Sequence, residues 1–459
     1  MKFNRFVILA PVMMLGILSG CGKPEEKSPD VVVESDGTTT TTITVAFAEC
    51  GFGRDFFSKW EEAYNQKNPK EKIKLDLEGD SQMTQNIGTR ITTEKNLPDL
   101  VMVLSTNWQE WAAKGYLATI DDVYQADSGD GKQTKMIDFI DENLKNFGKV
   151  NDNYYAVPWS VGPAGLIYNQ SMFEEFGWEV PKTTAELEAL CDKINQDTAG
   201  TVAPFAWSTS TGEYWSFLTL NWWAQIEGEE GFKEFWKFES PEVFNQQGRL
   251  KCLEEFEKLI CNHGEAKNSI TNQKFMASQM DFINGRAAMI PNGIWFENEM
   301  KDNTPAGFKM EMMKTPVIDG AKDSNINVNS SGDFIVIPKK ARNIDAAKKF
   351  LEFMNTKEGC EIFTKYAGGI RPFNYKPSEI EGLSDFMKSI SQMWENETNL
   401  YQTSNNPMYY INLLGLWPVY GTPYSRMVQD EDSASQVINS IYQEVSKNWN
   451  AYKHEAGLS

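Results

Sequence analysis

The stretch DLVMVL, residues 99–104, runs from Leu100 to Leu104 without a polar side chain. A strand with one wet face alternates apolar and polar residues. One that is apolar throughout has both faces covered, which is the habit of parallel sheets. On its N-terminal side lie two more short runs rich in strand-forming residues, IKLDL (73–77) and ITVAF (43–47). The segments between them, 54–66 and 82–95, have helical spacing of apolar residues. Strands alternating with helices of this length predict an α/β fold with a mainly parallel sheet covered on both faces. Ligands in such sheets lie beyond the carboxyl ends of the strands. Those ends are residues 48–53, 78–81 and 105–108.

The rest of the chain continues in this style without an internal repeat. NYYAVPW (153–159), GLIY (165–168) and DFIVI (333–337) are expected as strands, the last leading through Pro338 into a helix over 344–354. Thr183 followed by Glu186 three residues on starts a helix over 183–195. Residues 250–260 and 273–284 form amphipathic helices, and 442–449 belongs to a closing one.

Composition excludes several functions. The formal charge is −20 with no Lys/Arg block, so nucleic acid is not an expected partner. The chain has two histidines, His263 and His454, which leaves catalytic triads, Cys–His pairs and histidine metal sites poorly supplied. No phosphate-cradling glycine motif follows a strand. No catalytic residue, metal or cofactor is therefore expected, although the carboxylates Glu49 and Asp80 leave a glycosidase pair open. Besides Cys21, the cysteines are Cys50, Cys191, Cys252, Cys261 and Cys360, with no CxxC spacing. Buried thiols are expected; Cys252 and Cys261 could bridge only if the helix they share breaks.

The chain opens with Lys2 and Arg5, then a run that is apolar, apart from a Gly and a Pro, over 6–18, then Ser19, Gly20 and Cys21. The run is too short to span a bilayer, and the pattern resembles the bacterial lipoprotein signal. It implies a signal peptide over 1–20 and lipidation of Cys21. Residues 21–42 are rich in Pro, Ser, Thr and Glu and read as a flexible tether.

Four segments in order resemble one family. They are NLPDLVMVLSTNWQEWAAKGYLATIDD (96–122), NYYAVPWSVGPAGLIYNQSMFEEFGWEVPKTTAEL (153–187), FINGRAAMIPNGIWFENEM (282–300) and SSGDFIVIPKKARNIDAAKKFLEFMNTKEG (330–359). The resemblance is to the family-1 extracellular solute-binding proteins, the sugar-binding lipoproteins of ABC importers related to maltose-binding protein. Thr184 departs from the Trp that the family often carries at that helix start. The resemblance implies a two-lobed periplasmic-binding-protein-like fold with hinge crossings near Val157, Thr315 and Gly369. It implies a first lobe over 43–157 plus 316–368, a second over 158–315 plus 369–459, and a ligand in the interlobe cleft. The expected protein is a monomer that is not an enzyme. It is extracytoplasmic, held at the cell membrane by its lipid anchor, and its partners are a carbohydrate and the membrane permease subunits of an ABC importer. The alternatives are a lipid-anchored carbohydrate-active hydrolase and a binder of a non-sugar solute such as a polyamine.

Sugars present apolar C–H faces and rings of hydroxyls, so their sites need aromatic platforms with carboxylate, amide and guanidinium groups. The chain has 14 Trp and 16 Tyr to draw on. Trp295 matches the family's stacking Trp, and Trp159, Trp215 and Trp417 fall where the resemblance puts the cleft. Trp222 and Trp223 are adjacent on a helix, so only one can face ligand, and Trp223 is the candidate. The polar candidates are Glu49, Asp80 and Asn107 past strand ends, Asp333 before one, and Arg371 near the last crossing.

Overall fold

A computed structural model of the chain describes residues 30–458, apart from 50, 81–82, 105–107, 263–264, 330–332, 403, 405, 407, 409–421 and 430. The leader, Cys21 and the first part of the expected tether lie outside the described residues. So do Cys50, Asn107, His263 and Trp417.

In chain order the strands of three or more residues are β1 Val31–Val33, β2 Thr39–Ala48, β3 Glu71–Asp80, β4 Leu100–Leu104, β5 Ala156–Pro158, β6 Ala164–Asn169 and β7 Ala203–Ser208. They continue as β8 Ser269–Asn272, β9 Ala287–Gly293, β10 Met310–Met313, β11 Ile326–Asn329, β12 Asp333–Val336 and β13 Thr398–Tyr401. The first sheet runs β3-β2-β4-β12-β5, with β1 beside the start of β2. The second runs β8-β7-β9-β6-β10. Each is a separate sheet, which makes the chain two-lobed α/β.

Two expectations need correction. The sheets are mixed rather than mainly parallel: β2, β3 and β4 are parallel, but β12 runs antiparallel to both β4 and β5. In the second lobe β7, β8 and β9 are parallel while β6 is antiparallel to β9 and β10. Strand direction within each sheet is a matter of long-range topology, which local periodicity does not encode. The tether over 21–42 also ends earlier than its composition suggests, because 31–33 and 39–42 are strand residues. Those positions are Val and Thr, whose branched Cβ favours the pleated backbone over coil.

The Leu-Pro-Asp turn before β4 has a structural purpose. Asp99 is buried, and its carboxylate accepts from Thr44 N at 3.0 Å and Asn343 N at 2.8 Å. It thus ties β2, β4 and the helix Ile344–Met354 at the edge away from the strands' carboxyl ends. The helix Asp55–Lys67 buries Phe56, Phe57, Trp60 and Tyr64 on one face, and Trp60 Nε1 donates to Gly359 O at 2.8 Å. Thr183 caps the helix Thr184–Asp197 by accepting from Glu186 N, as its sequence implies.

Val161 N donates to Ile370 O at 3.0 Å. β11 and β13 form a parallel ladder in which Asn329 Nδ2 donates to Asn399 Oδ1 at 3.0 Å. Val328 N is held by Asn221 Oδ1 at 2.9 Å, which braces this ladder to the helix Ser216–Phe235. Cys191, Cys252 and Cys360 are buried free thiols, and Cys261 is half-buried. Among the described residues no helix is long and apolar enough to cross a membrane.

Candidate functional site

Strand register collects several of the expected residues at one edge of the first sheet. Ala48 pairs with Asp80, Asp333 with Leu104, and Pro158 with Phe334. Glu49, Asp80, Asp333 and Trp159 therefore share the edge formed by the carboxyl ends of β2, β3 and β4. Glu49 is exposed, with Arg54 Nε 3.4 Å from its Oε1. The side chain of Asp80 lies outside what the structure describes.

Asp333 has a different environment. Its Oδ2 accepts from Ser160 Oγ at 2.9 Å, and desolvation by burial pushes its carboxyl from 3.8 up to about 7. Ser160 bonds the charged form and pulls the other way, but loss of water wins. Near neutral pH this group can either donate to or accept from a hydroxyl. Trp159, next in chain, is 3% exposed and rings edge-on with Phe52 at 5.7 Å and Phe363 at 5.5 Å. Its buried indole Nε1 has no acceptor. An orphaned donor in such a place costs free energy until something supplies an oxygen.

The second lobe contributes Trp295, two residues past the end of β9. It is half-buried and meets Phe52 of the first lobe at 6.5 Å, with Tyr214 at 6.1 Å and Phe217 at 5.8 Å from its own lobe. All three contacts are edge-to-face. The indole passes close to backbone without side chains: a Cβ on Gly51 would lie 2.8 Å from Trp295 Cβ, and one on Gly162 would lie 3.0 Å from Cζ3. Asn298 Nδ2 donates to Gly51 O at 2.6 Å across the same gap. Beside Tyr214, Glu213 is half-buried, and desolvation raises its carboxyl.

A further opening lies between loop 142–147 of the first lobe and the end of the Ser216–Phe235 helix. It has a volume of about 550 Å³ and is lined by Asn143, Asn146, Phe147, Lys233, Trp236 and Tyr401, among others. That falls within the range of small-molecule sites, roughly 300–1,000 Å³. Lys233 Nζ donates to Asn143 Oδ1 at 2.8 Å, a second polar link between the lobes.

Three candidates belong elsewhere. Trp215 is fully buried against Phe205, Trp207 and Phe256, so it is core of the second lobe. Trp223 is 1% exposed; its Nε1 donates to Gln246 Oε1 at 2.9 Å, and its ring packs on Phe232 and Phe235. Arg371 is fully buried, donating to Met354 O and Asn355 Oδ1 beneath the rings of Trp60, Phe363 and Phe373. For Trp223 and Arg371 apolar packing plus internal acceptors holds a polar tip that sequence alone would assign to a ligand, whereas Trp215 is held by ring packing alone, its Nε1 having no acceptor among the described residues. Tyr168 and Asn169, adjacent at the end of β6, are structural as well. Tyr168 OH donates to Glu311 at 2.6 Å, and Asn169 caps the helix Gln170–Phe176. Asn107 and Trp417 lie outside the described residues.

The edge and cradle also include aromatics that were not singled out. Phe52 sits in the strand-end segment 48–53, so its position was a usable signal. Tyr214 and Phe217 flank Trp215 in GEYWSF, and nothing in that string says which ring faces out. Among the described residues no group of three His, Cys, Asp or Glu could hold a metal ion.

Comparison with known proteins bears on the fold and the family. The multiple sugar-binding protein of Streptococcus mutans is 23% identical over 390 residues, covering 80% of this chain and 86% of that protein. The GacH receptor of Streptomyces glaucescens, solved unliganded and with acarbose, superimposes with a TM-score of 0.65 at 16% identity over 88% of this chain and 97% of its own. An ABC substrate-binding protein of Listeria monocytogenes in complex with cycloalternan gives a TM-score of 0.65 at 15% identity, covering 90% and 99%. The family model for bacterial extracellular solute-binding proteins matches residues 54–359, and that is the family to which this chain belongs.

Proposed function

We propose that this chain captures a carbohydrate, an oligosaccharide in preference to a single sugar, between its two lobes and delivers it to an ABC importer. The observation that carries the reading is Trp295. It is a half-buried indole that meets Phe52 and Gly51, in the loop leaving the sheet edge where the strand register places Glu49, Asp80 and Asp333. The ring offers a flat apolar surface to sugar C–H groups, and the carboxylates accept hydroxyl hydrogens through charge-assisted bonds. The unpaired Trp159 N–H supplies a donor for a sugar oxygen. A ligand that touches both lobes only when they close shifts the population toward closure, and no covalent step is required. The binding-protein names of the relatives support a receptor rather than a hydrolase.

In this reading the first lobe comprises 43–157 plus 316–368, and the second 158–315 plus 369–459. Cys21 carries a lipid that keeps the body beside its permease, within reach of a short tether. The test is melting temperature against maltotriose, raffinose, xylotriose, chitobiose and spermidine. A ligand at a hundred times its Kd adds about 2.7 kcal/mol of stability. A shift with one or more sugars is expected. A shift with spermidine alone overturns the carbohydrate assignment, and release of smaller sugars on long incubation overturns the non-enzymatic one.

A further inference from the structure

Trp295 and the loop after β2 meet where the first lobe touches the second, and the contact depends on a missing side chain. Gly51 does not occupy the left-handed region, so its backbone does not demand glycine. What demands it is space, since a Cβ there would stand 2.8 Å from Trp295 Cβ and 3.1 Å from its Cγ and Cδ1. Carbon atoms in ordinary contact sit about 3.5–4.0 Å apart, so any side chain at 51 forces a retreat of about 1 Å. Asn298 then fixes the approach by donating to Gly51 O at 2.6 Å. The neighbouring Phe52 is packed as closely on the third crossing, where a Cβ on Gly369 would lie 2.8 Å from its ring.

From this geometry we infer that Gly51 and Asn298 form an interlobe clasp that sets how far the lobes close and so positions Trp295 for ligand. The inference rests on the capture mechanism above, but it concerns residues that need not touch the ligand. Gly162 borders Trp295 and immediately follows Val161, which is bonded to Ile370, so the clasp lies beside two of the crossings. Displacement close to a pivot becomes a larger separation at the far rim. A retreat of about 1 Å at Gly51 is therefore enough to part groups that must both touch one ligand, given that interior packing switches rather than stretches.

The experiment compares wild type, Gly51→Val and Asn298→Ala. It reads the radius of gyration without ligand by small-angle X-ray scattering, the melting temperature, and Kd for maltotriose, raffinose and xylotriose. Gly51→Val is expected to enlarge the ligand-free radius of gyration and keep the wild-type melting temperature, because parted lobes carry no strain. If the closed population drops tenfold, apparent Kd rises about tenfold. Asn298→Ala, which adds no bulk, should move radius and Kd in the same direction by a smaller factor. An unchanged radius with a lowered melting temperature in Gly51→Val means overpacking within one rigid body and overturns the inference. If Gly51→Val does not fold, wild-type radius and affinity in Asn298→Ala overturn it alone. Failure of all three sugars to bind wild type counts against the carbohydrate reading only, because the ligand-free radii still decide the clasp.

Discussion

Replacing Asp333 by Asn isolates a cleft-edge carboxyl whose proton is held close to neutral pH. In the folded chain this half-buried carboxyl is partly desolvated and accepts from Ser160 at 2.9 Å, and the loss of water outweighs that bond, so it keeps its proton up to about 7 instead of 3.8. The folded state thus binds that proton more tightly than the unfolded state does. Its stabilising contribution is fully present below pH 3.8, declines as pH rises, and is lost once pH passes about 7. A displacement of about three pH units corresponds to at most about 4 kcal/mol, falling by about 1.4 kcal/mol per pH unit inside the window. Urea unfolding of wild type and Asp333→Asn from pH 4 to pH 8 measures it. Other carboxyls raised by burial, such as Glu297, Glu299 and Asp141, titrate in both proteins and cancel in the difference. Wild type should lose stability relative to Asp333→Asn between about pH 4 and pH 7, with the two curves parallel above that. Curves parallel over the whole range would refute the buried, proton-retaining carboxyl.

The remaining expectations separate cleft from core. Trp295→Ala should cost about 2 kcal/mol of sugar binding, roughly thirtyfold in Kd by titration calorimetry, with little change in melting temperature because the ring is only half-buried. Trp215→Ala and Trp223→Ala should each lose about 3–5 kcal/mol of unfolding free energy, while the protein that still folds binds sugar with wild-type Kd. Arg249 is fully buried over Trp223, Phe235 and Phe244 with no acceptor for its Nε, Nη1 or Nη2, and burial lowers its guanidinium to about 9. Arg249→Met should therefore raise stability by about 1–3 kcal/mol in urea unfolding, and a loss would mean that the ring contacts outweigh the desolvated charge. Cys21→Ala should move the protein from the membrane fraction to the soluble one on fractionation of cells.

Much of the first sheet could be read in the residues themselves. DLVMVL is apolar because β4 is a central strand whose Leu100, Val101 and Met102 are all buried, and the strand-end rule put Glu49 and Asp80 at one edge, which Asp333 joins only because β12 runs antiparallel. The helix Ile344–Met354 starts and stops where its apolar spacing does. What escaped was set by long-range contacts. β12 runs antiparallel to β4, and no local pattern marks direction. The tryptophans divide between core and cleft for the same reason. Trp215 is buried and Tyr214 beside it meets Trp295, although both stand in one short aromatic string. Arg371 shows the converse: a charge near a crossing suggests ligand, yet three rings and two internal oxygens already hold it. Glycine at 51 is also opaque in sequence, since its reason is an indole almost 250 positions away.

Capture by closure is best decided with scattering and ligand recovery in one sample. The radius of gyration is measured before and after addition of the oligosaccharide that most raises the melting temperature, and the sugar is then recovered and examined by mass spectrometry. Contraction of the protein around a sugar recovered intact is the predicted result. A radius unmoved at saturating ligand, or a sugar recovered in pieces, would contradict a hinged receptor.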